Sequence, residues 1–161
     1  FFHAHRTDDI FTAIRIAKEF DLDLVLCHCT EGHLIADLLK EEGCGIIAGP
    51  ILGDRSKPEL RNLERSGLAK LFEEGIHAGL CTDHPETQYL PLCAGVAVGA
   101  GLDYEEALKT ITIYPARIVG IDDRVGSIKV GKDADFVLYD GDPLSPYHHP
   151  KQVFINGQKC L

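Results

Sequence analysis

Apolar positions along the first half of the chain follow two alternating rhythms. Leu24-Val25-Leu26-Cys27, Gly45-Ile46-Ile47-Ala48 and Ile76-His77-Ala78-Gly79-Leu80-Cys81-Thr82 are short apolar runs with the length and make-up of buried strands. Between them, Ile10, Ala13, Ile14, Ala17 and Phe20 recur at helical spacing and predict a helix over Asp8–Phe20, with Thr7 or Asp8 as its side-chain cap. Thr30-Glu31 opens a second helix that runs to Glu42 and stops at Gly43. A third passes through Leu60, Leu63, Leu68, Leu71 and Phe72 to Gly75. With Phe1-Phe2 as the start of one more strand, residues 1–83 read βαβαβαβ. That order demands parallel strands joined by right-handed crossovers.

Beyond residue 89 the rhythm changes twice. Ala94, Val96, Ala97 and Val98, then Tyr104–Thr110 with Asp103 as its cap, then Thr112–Val119 with Pro115 near its first turn, predict three helical pieces. After Gly120 come short strand-like runs at Val125–Ile128, Ala134–Tyr139 and Val153–Gly157. Asn156-Gly157 is a strong two-residue hairpin signal, because both positions tolerate positive φ. The pattern divides the chain into an α/β part, 1–119, and a β-rich part, 120–161.

The chemistry sits where the apolar runs stop. Phe1-Phe2 leads into His3-Ala4-His5, Leu24–Cys27 into His28, and Ile76–Thr82 into Asp83-His84-Pro85. In a parallel α/β sheet or barrel the carboxyl ends of the strands converge on one face, where active sites form. Imidazole and carboxylate are ligands of divalent metals at catalytic sites. His3, His28 and Asp83 are therefore candidate metal ligands, with Asp83 and His28 as candidate catalytic groups. His5 projects to the same side as His3 and is expected to line the pocket. His33 faces either the pocket or the fold, and His84 either substrate or the turn. Arg6 and Lys57 either anchor a substrate carboxylate or are solvated loop cations. His77 lies mid-strand and reads as structural, and His148-His149 as part of an exposed loop.

Composition narrows the classes. A length of 161 residues, 45% hydrophobic and 25% charged, is ordinary for a soluble globular chain. The formal charge of −9 argues against nucleic acid or an anionic membrane as the main partner. Neither a transmembrane run nor a signal peptide stands out, which predicts a cytoplasmic protein. The six cysteines are then expected as reduced, packed thiols. Cys27 and Cys29 flank His28, but neighbours on a strand point to opposite faces and cannot all aim at one metal. The chain starts with Phe1-Phe2 and contains no Met, which predicts further residues upstream.

These motifs together resemble the amidohydrolase superfamily, in its imidazolonepropionase-like and prolidase-like branch. The resemblance rests on His3-Ala4-His5-Arg6 with Asp8-Asp9-Ile10, on His28-Cys29-Thr30-Glu31-Gly32-His33, and on Thr82-Asp83-His84-Pro85. Val125–Ile128, Gly131–Asp135 and Asp140-Gly141-Asp142-Pro143 add to it. It implies an α/β fold comprising strands 5–8 of a (β/α)8 TIM-type barrel, followed by a segment of a small β-sandwich. By that resemblance His3, His28 and Asp83 match the metal-binding residues of the fifth, sixth and eighth strands. The implied cofactor is a divalent metal, zinc first, with iron or manganese as alternatives. The implied reaction is hydrolysis of an amide or cyclic-amide C–N bond, with Asp83 as general base and His28 binding metal or polarising the carbonyl oxygen.

The family's first-strand His-x-His and its fourth-strand Lys or Glu have no counterpart in these residues. The chain is thus expected to work with a missing amino-terminal half or as a homo-oligomer. A non-catalytic half-barrel serving as a binding module and a deaminase on the same fold are the competing expectations.

Overall fold

Four short strands lie side by side in chain order, all parallel: β1 (Phe2–Ala4), β2 (Val25–His28), β3 (Gly45–Ala48) and β4 (Gly79–Leu80). The structure, a computed structural model, describes residues 1–83 and 87–161. Alternation along each strand sorts its side chains. Leu26, Ile46, Ala48 and Leu80 are buried in the core, whereas His3, Cys27 and Ile47 occupy the more open row. The buried row meets the apolar stripe of helix α1 (Thr7–Glu19), carried by Ile10, Ala13 and Ile14. The same core takes in Leu39 of α2 (Ala36–Glu42) and Leu68 and Leu71 of α3 (Gly67–Glu73). Each fully buried aliphatic side chain of this kind contributes roughly 1.5–3 kcal/mol.

The predicted elements of residues 1–83 are present, but the second and third helices and the last strand are shorter than expected. The N–H of Thr7 at the start of α1 is accepted not by a neighbouring side chain but by the Glu31 carboxylate, at 2.8 Å. Arg6, the residue before the helix, makes no side-chain cap bond. With Glu31 so engaged, the stretch after β2 forms a 3₁₀ turn, Gly32–Leu34, before α2 begins. Gly43 ends α2 as expected, at φ 65°. The helix expected from Leu60 starts only at Gly67. Asn62 and the Leu63 carbonyl are drawn instead into side-chain bonds with Glu31 and Arg55, at 2.7 Å each.

Three helices follow: α4 (Leu90–Gly99), α5 (Tyr104–Thr110) and α6 (Ile113–Ile118). Asp103 caps α5 through its carboxylate, which accepts the Glu106 N–H at 3.1 Å. Asp103→Ala is expected to lower stability by about 1 kcal/mol, read from a denaturant melt.

The last strands form a separate antiparallel sheet of β5 (Phe136–Tyr139), β6 (Pro150–Ile155) and β7 (Gln158–Lys159). Its hairpin turns at Asn156 and Gly157, with φ 51° and 75°, as the sequence predicts. Phe136 stacks on Phe154 across the strand pair, with ring centroids 4.5 Å apart. Val125–Ile128 is not a strand. The Val125 N–H bonds back to Ile121, and Gly126, at φ 83°, lies against Ala116, where a side chain would collide.

Among the described residues all six cysteines are free. No helix among them is long and apolar enough to cross a membrane.

Candidate metal centre at the strand ends

Parallel pairing puts His3 opposite Cys27 and Ala4 opposite His28, so the ends of β1 and β2 are level. By alternation alone His28 belongs to the buried row. The pleat breaks there, because His28 and Cys29 take left-handed φ values of 72° and 48°. Asp83, just past β4, does the same at φ 56°. Three of the five non-glycine residues with left-handed φ among the described residues thus lie at two strand ends. Such backbone is costly for most residues and concentrates at functional sites.

The result is a cluster. His3 Nδ1 lies 2.9 Å from His28 Nε2, and Asp83 Oδ1 lies 3.7 Å from that same nitrogen. One donor atom from each of the three residues falls within 4.8 Å of the others. The tautomer of His28 follows from its other contact. Nδ1 is 2.9 Å from the Gly49 carbonyl oxygen, which can only accept, so Nδ1 carries the proton. In the neutral ring Nε2 then keeps its lone pair, directed at His3 and Asp83. That is the form of imidazole that binds a metal, held in orientation by a backbone carbonyl. Two imidazoles and a carboxylate make a donor set suited to zinc and to neighbouring first-row divalent ions. The residues present therefore fit a divalent metal.

Around the cluster the candidates separate. His5 stacks on His28, centroids 4.5 Å apart and planes 12° from parallel, and its Nδ1 is 2.8 Å from Thr30 Oγ1. Burial, then the neighbouring His28, holds the His5 pKa below its ordinary value. Lys57 is exposed on the loop after β3, and its charge is felt at His5. Arg6 is turned onto Asp8 in a two-pronged pair at 2.9 Å, on the surface and outside the cluster. His33 donates from Nδ1 to the Thr30 carbonyl at 3.0 Å and sets Nε2 3.3 Å from Glu64, bracing the loop against the start of α3. His84 lies outside the described residues. His77 stacks on Tyr114 at the far end of the sheet, and His148 pairs with Asp140.

Two contributors escape a reading by residue type. Gly49 supplies only a carbonyl, and Glu31 reads as an ordinary first-turn carboxylate. The signals for them were present: a Gly-Pro at a strand end, and an acidic residue three positions after a candidate ligand.

A profile of the amidohydrolase family matches residues 3–160. An amidohydrolase, tasK, of Hapsidospora irregularis is 30% identical over 161 residues, covering 96% of this chain and 16% of that protein. An imidazolonepropionase of Shewanella baltica is 58% identical over 88 residues, covering 50% of this chain and 21% of the relative. A 5-methylthioadenosine/S-adenosylhomocysteine deaminase of Thermoanaerobacter pseudethanolicus is 29% identical, across 85% and 33% of the two chains. Among solved structures, an amidohydrolase from Thermotoga maritima superposes with a TM-score of 0.96 at 41% identity, over 99% of this chain and 42% of that one. The chain therefore spans less than half the length of these relatives, and its parallel sheet with flanking helices is part of a barrel. With the match running through nearly every residue from His3 onward, the chain belongs to the amidohydrolase family.

Proposed function

We propose that this chain carries the carboxyl-terminal part of the active site of a metal-dependent hydrolase that cleaves an amide or cyclic-amide C–N bond. In this reading β1–β4 are strands 5–8 of a (β/α)8 barrel spanning residues 1–119. Residues 120–161 are then a segment of a β-sandwich completed by the rest of the protein. The observation that carries the reading is the placement of His28, whose Nδ1 meets the Gly49 carbonyl and whose Nε2 faces His3 and Asp83. Members of the family are in general metal-dependent, and the relatives include hydrolases and deaminases acting on C–N bonds.

His3, His28 and Asp83 would hold the metal, zinc first and iron or manganese otherwise. Bound there, a divalent ion would supply Lewis-acid polarisation of a carbonyl and a lowered pKa for water. The protein's own contribution is the movement of protons. Asp83, half-exposed at the mouth, accepts a proton from the attacking water as the C–O bond forms. It returns that proton to the nitrogen as the C–N bond breaks, so the leaving group departs as a neutral amine or amide nitrogen. His5, stacked on His28 and bonded to Thr30, borders the space that a small-molecule substrate would occupy.

The high identity to an imidazolonepropionase favours cyclic amides as the substrate class, and the deaminase relative keeps C–N cleavage with ammonia release as the second reading. The test is to purify the full-length protein, measure bound metal per chain, and assay cyclic amides, dipeptides and aminopurines before and after treatment with a chelator. The expected result is about one or two metals per chain and ring opening that is lost on chelation and restored by zinc, manganese or iron. Turnover that survives complete removal of metal overturns the proposal. Ammonia release from an aminopurine alone selects the deaminase, and bound metal with no turnover of any substrate selects the binding module.

A further inference from the structure

We infer that Glu31 is a positioning residue for the His3–His28–Asp83 centre, tying the loops after β1, β2 and β3 into one frame that fixes where the two imidazoles meet. This rests on the metal-centre reading above. Glu31 is only 6% exposed. Its Oε2 accepts the Thr7 N–H at 2.8 Å, and its Oε1 accepts from the Asn62 amide at 2.7 Å. Its own N–H donates to the His5 carbonyl, also at 2.8 Å. The residue before it, Thr30, holds the ring of His5, and His5 lies flat on His28. One side chain thus joins segments that follow three different strands, and the frame ends on the ring whose Nε2 faces the other ligands.

A helix-capping role alone does not account for this arrangement. Capping α1 requires one carboxylate oxygen, yet the second reaches Asn62, on the loop after β3. Burial pushes the Glu31 pKa up, but the hydrogen bonds from Thr7 and Asn62 outweigh it and hold the group below its ordinary value. The side chain is accordingly an anion with both oxygens engaged, and a buried anion with fixed donors is a rigid joint. Groups that orient metal-binding imidazoles set affinity, and their loss typically costs about 10–100-fold.

The decisive substitution is Glu31→Gln in the full-length protein. Glutamine keeps the shape and one acceptor, but places an NH₂ against a donor, so Thr7 and Asn62 can no longer both be satisfied. Asp103→Ala serves as a control, because it removes a helix cap elsewhere and lowers stability without touching these loops. The readouts are thermal melting and zinc affinity of the metal-stripped protein, titrated in competition with a chromogenic chelator. The expected result is zinc binding weakened by about 10–100-fold in Glu31→Gln, with the Asp103→Ala variant within about twofold of the unsubstituted protein.

Affinity in Glu31→Gln within about twofold of the unsubstituted protein, or an equal loss in Asp103→Ala, overturns the inference. Should Glu31→Gln fail to fold, Thr7→Pro decides. Thr7 is the first residue of α1, where proline is favoured, and Arg6 before it is already extended at φ −85° and ψ 152°. That variant removes the Thr7 donor while retaining the helix, and it should weaken zinc by about threefold or more; unchanged affinity sinks the inference. Failure of the unsubstituted protein to bind zinc, manganese or iron is a separate outcome that removes the metal centre itself.

Discussion

Asp83→Asn in the full-length protein should lower kcat by about 10²–10⁴-fold, the usual contribution of a positioned general base. Asparagine is the informative replacement for two reasons. Asp83 sits at φ 56°, a left-handed conformation that Asn tolerates and most residues do not, so the loop backbone need not move. The amide also keeps the shape and an oxygen toward His28 while removing the basic site that takes the proton. The Asp83 side chain is 49% exposed, and its Oδ1 stands 3.7 Å from His28 Nε2, so the fold loses little. A change in stability within about 0.5 kcal/mol is expected. Steady-state kinetics alongside a circular-dichroism melt separates the two effects, and near-normal turnover in a well-folded variant would remove Asp83 from the mechanism. A large fall in both would mean that Asp83 serves the fold rather than the reaction.

The strand ends were legible in the sequence because two periodicities meet there. An apolar run that stops abruptly at His or Asp reports both a buried strand and the polar face on which it opens. That is why His3, His28 and Asp83 could be picked out together, and why His5 could be placed beside them. Helix lengths were less legible, since propensity cannot see a bond made from elsewhere in the chain. Local pattern predicts a side-chain cap at Thr7 or Asp8 for α1, whereas the Thr7 N–H goes to Glu31, twenty-four residues away. The helix that spacing predicts from Leu60 starts only at Gly67 for the same reason, as Asn62 and Leu63 are held by partners that local pattern does not reveal. Arg6 shows the converse. Its charge left a substrate anchor and a solvated loop cation both open, and Asp8, a carboxylate two residues on, pairs with it on the surface.

Gly49 was the least legible of all, because it acts through what it lacks. At φ 129° it occupies backbone that side-chain-bearing residues rarely adopt, and a Cβ there would stand 2.3 Å from the Cys81 carbonyl oxygen. That oxygen belongs to backbone paired across the sheet, with the Cys81 N–H bonded to Ala48, so it cannot step aside. Gly49→Ala is therefore expected to destabilise the protein by about 2–4 kcal/mol, combining backbone strain with a collision. Gly43→Ala separates the two contributions. Gly43 is also left-handed, at φ 65°, but nothing lies within 4 Å of the site of its missing Cβ. It should cost only about 1 kcal/mol. The functional consequence differs as well, because the Gly49 carbonyl is what fixes the proton on His28 Nδ1. Once that carbonyl moves, His28 can protonate Nε2 instead and present an N–H to the cluster where a lone pair is needed. Gly49→Ala should thus weaken metal binding beyond what its melting temperature explains, whereas Gly43→Ala should leave metal affinity unchanged. Equal melting shifts in the two variants would show that the collision adds nothing to the strain, and unaltered metal affinity in a folded Gly49→Ala protein would show that the carbonyl is not what sets the ring.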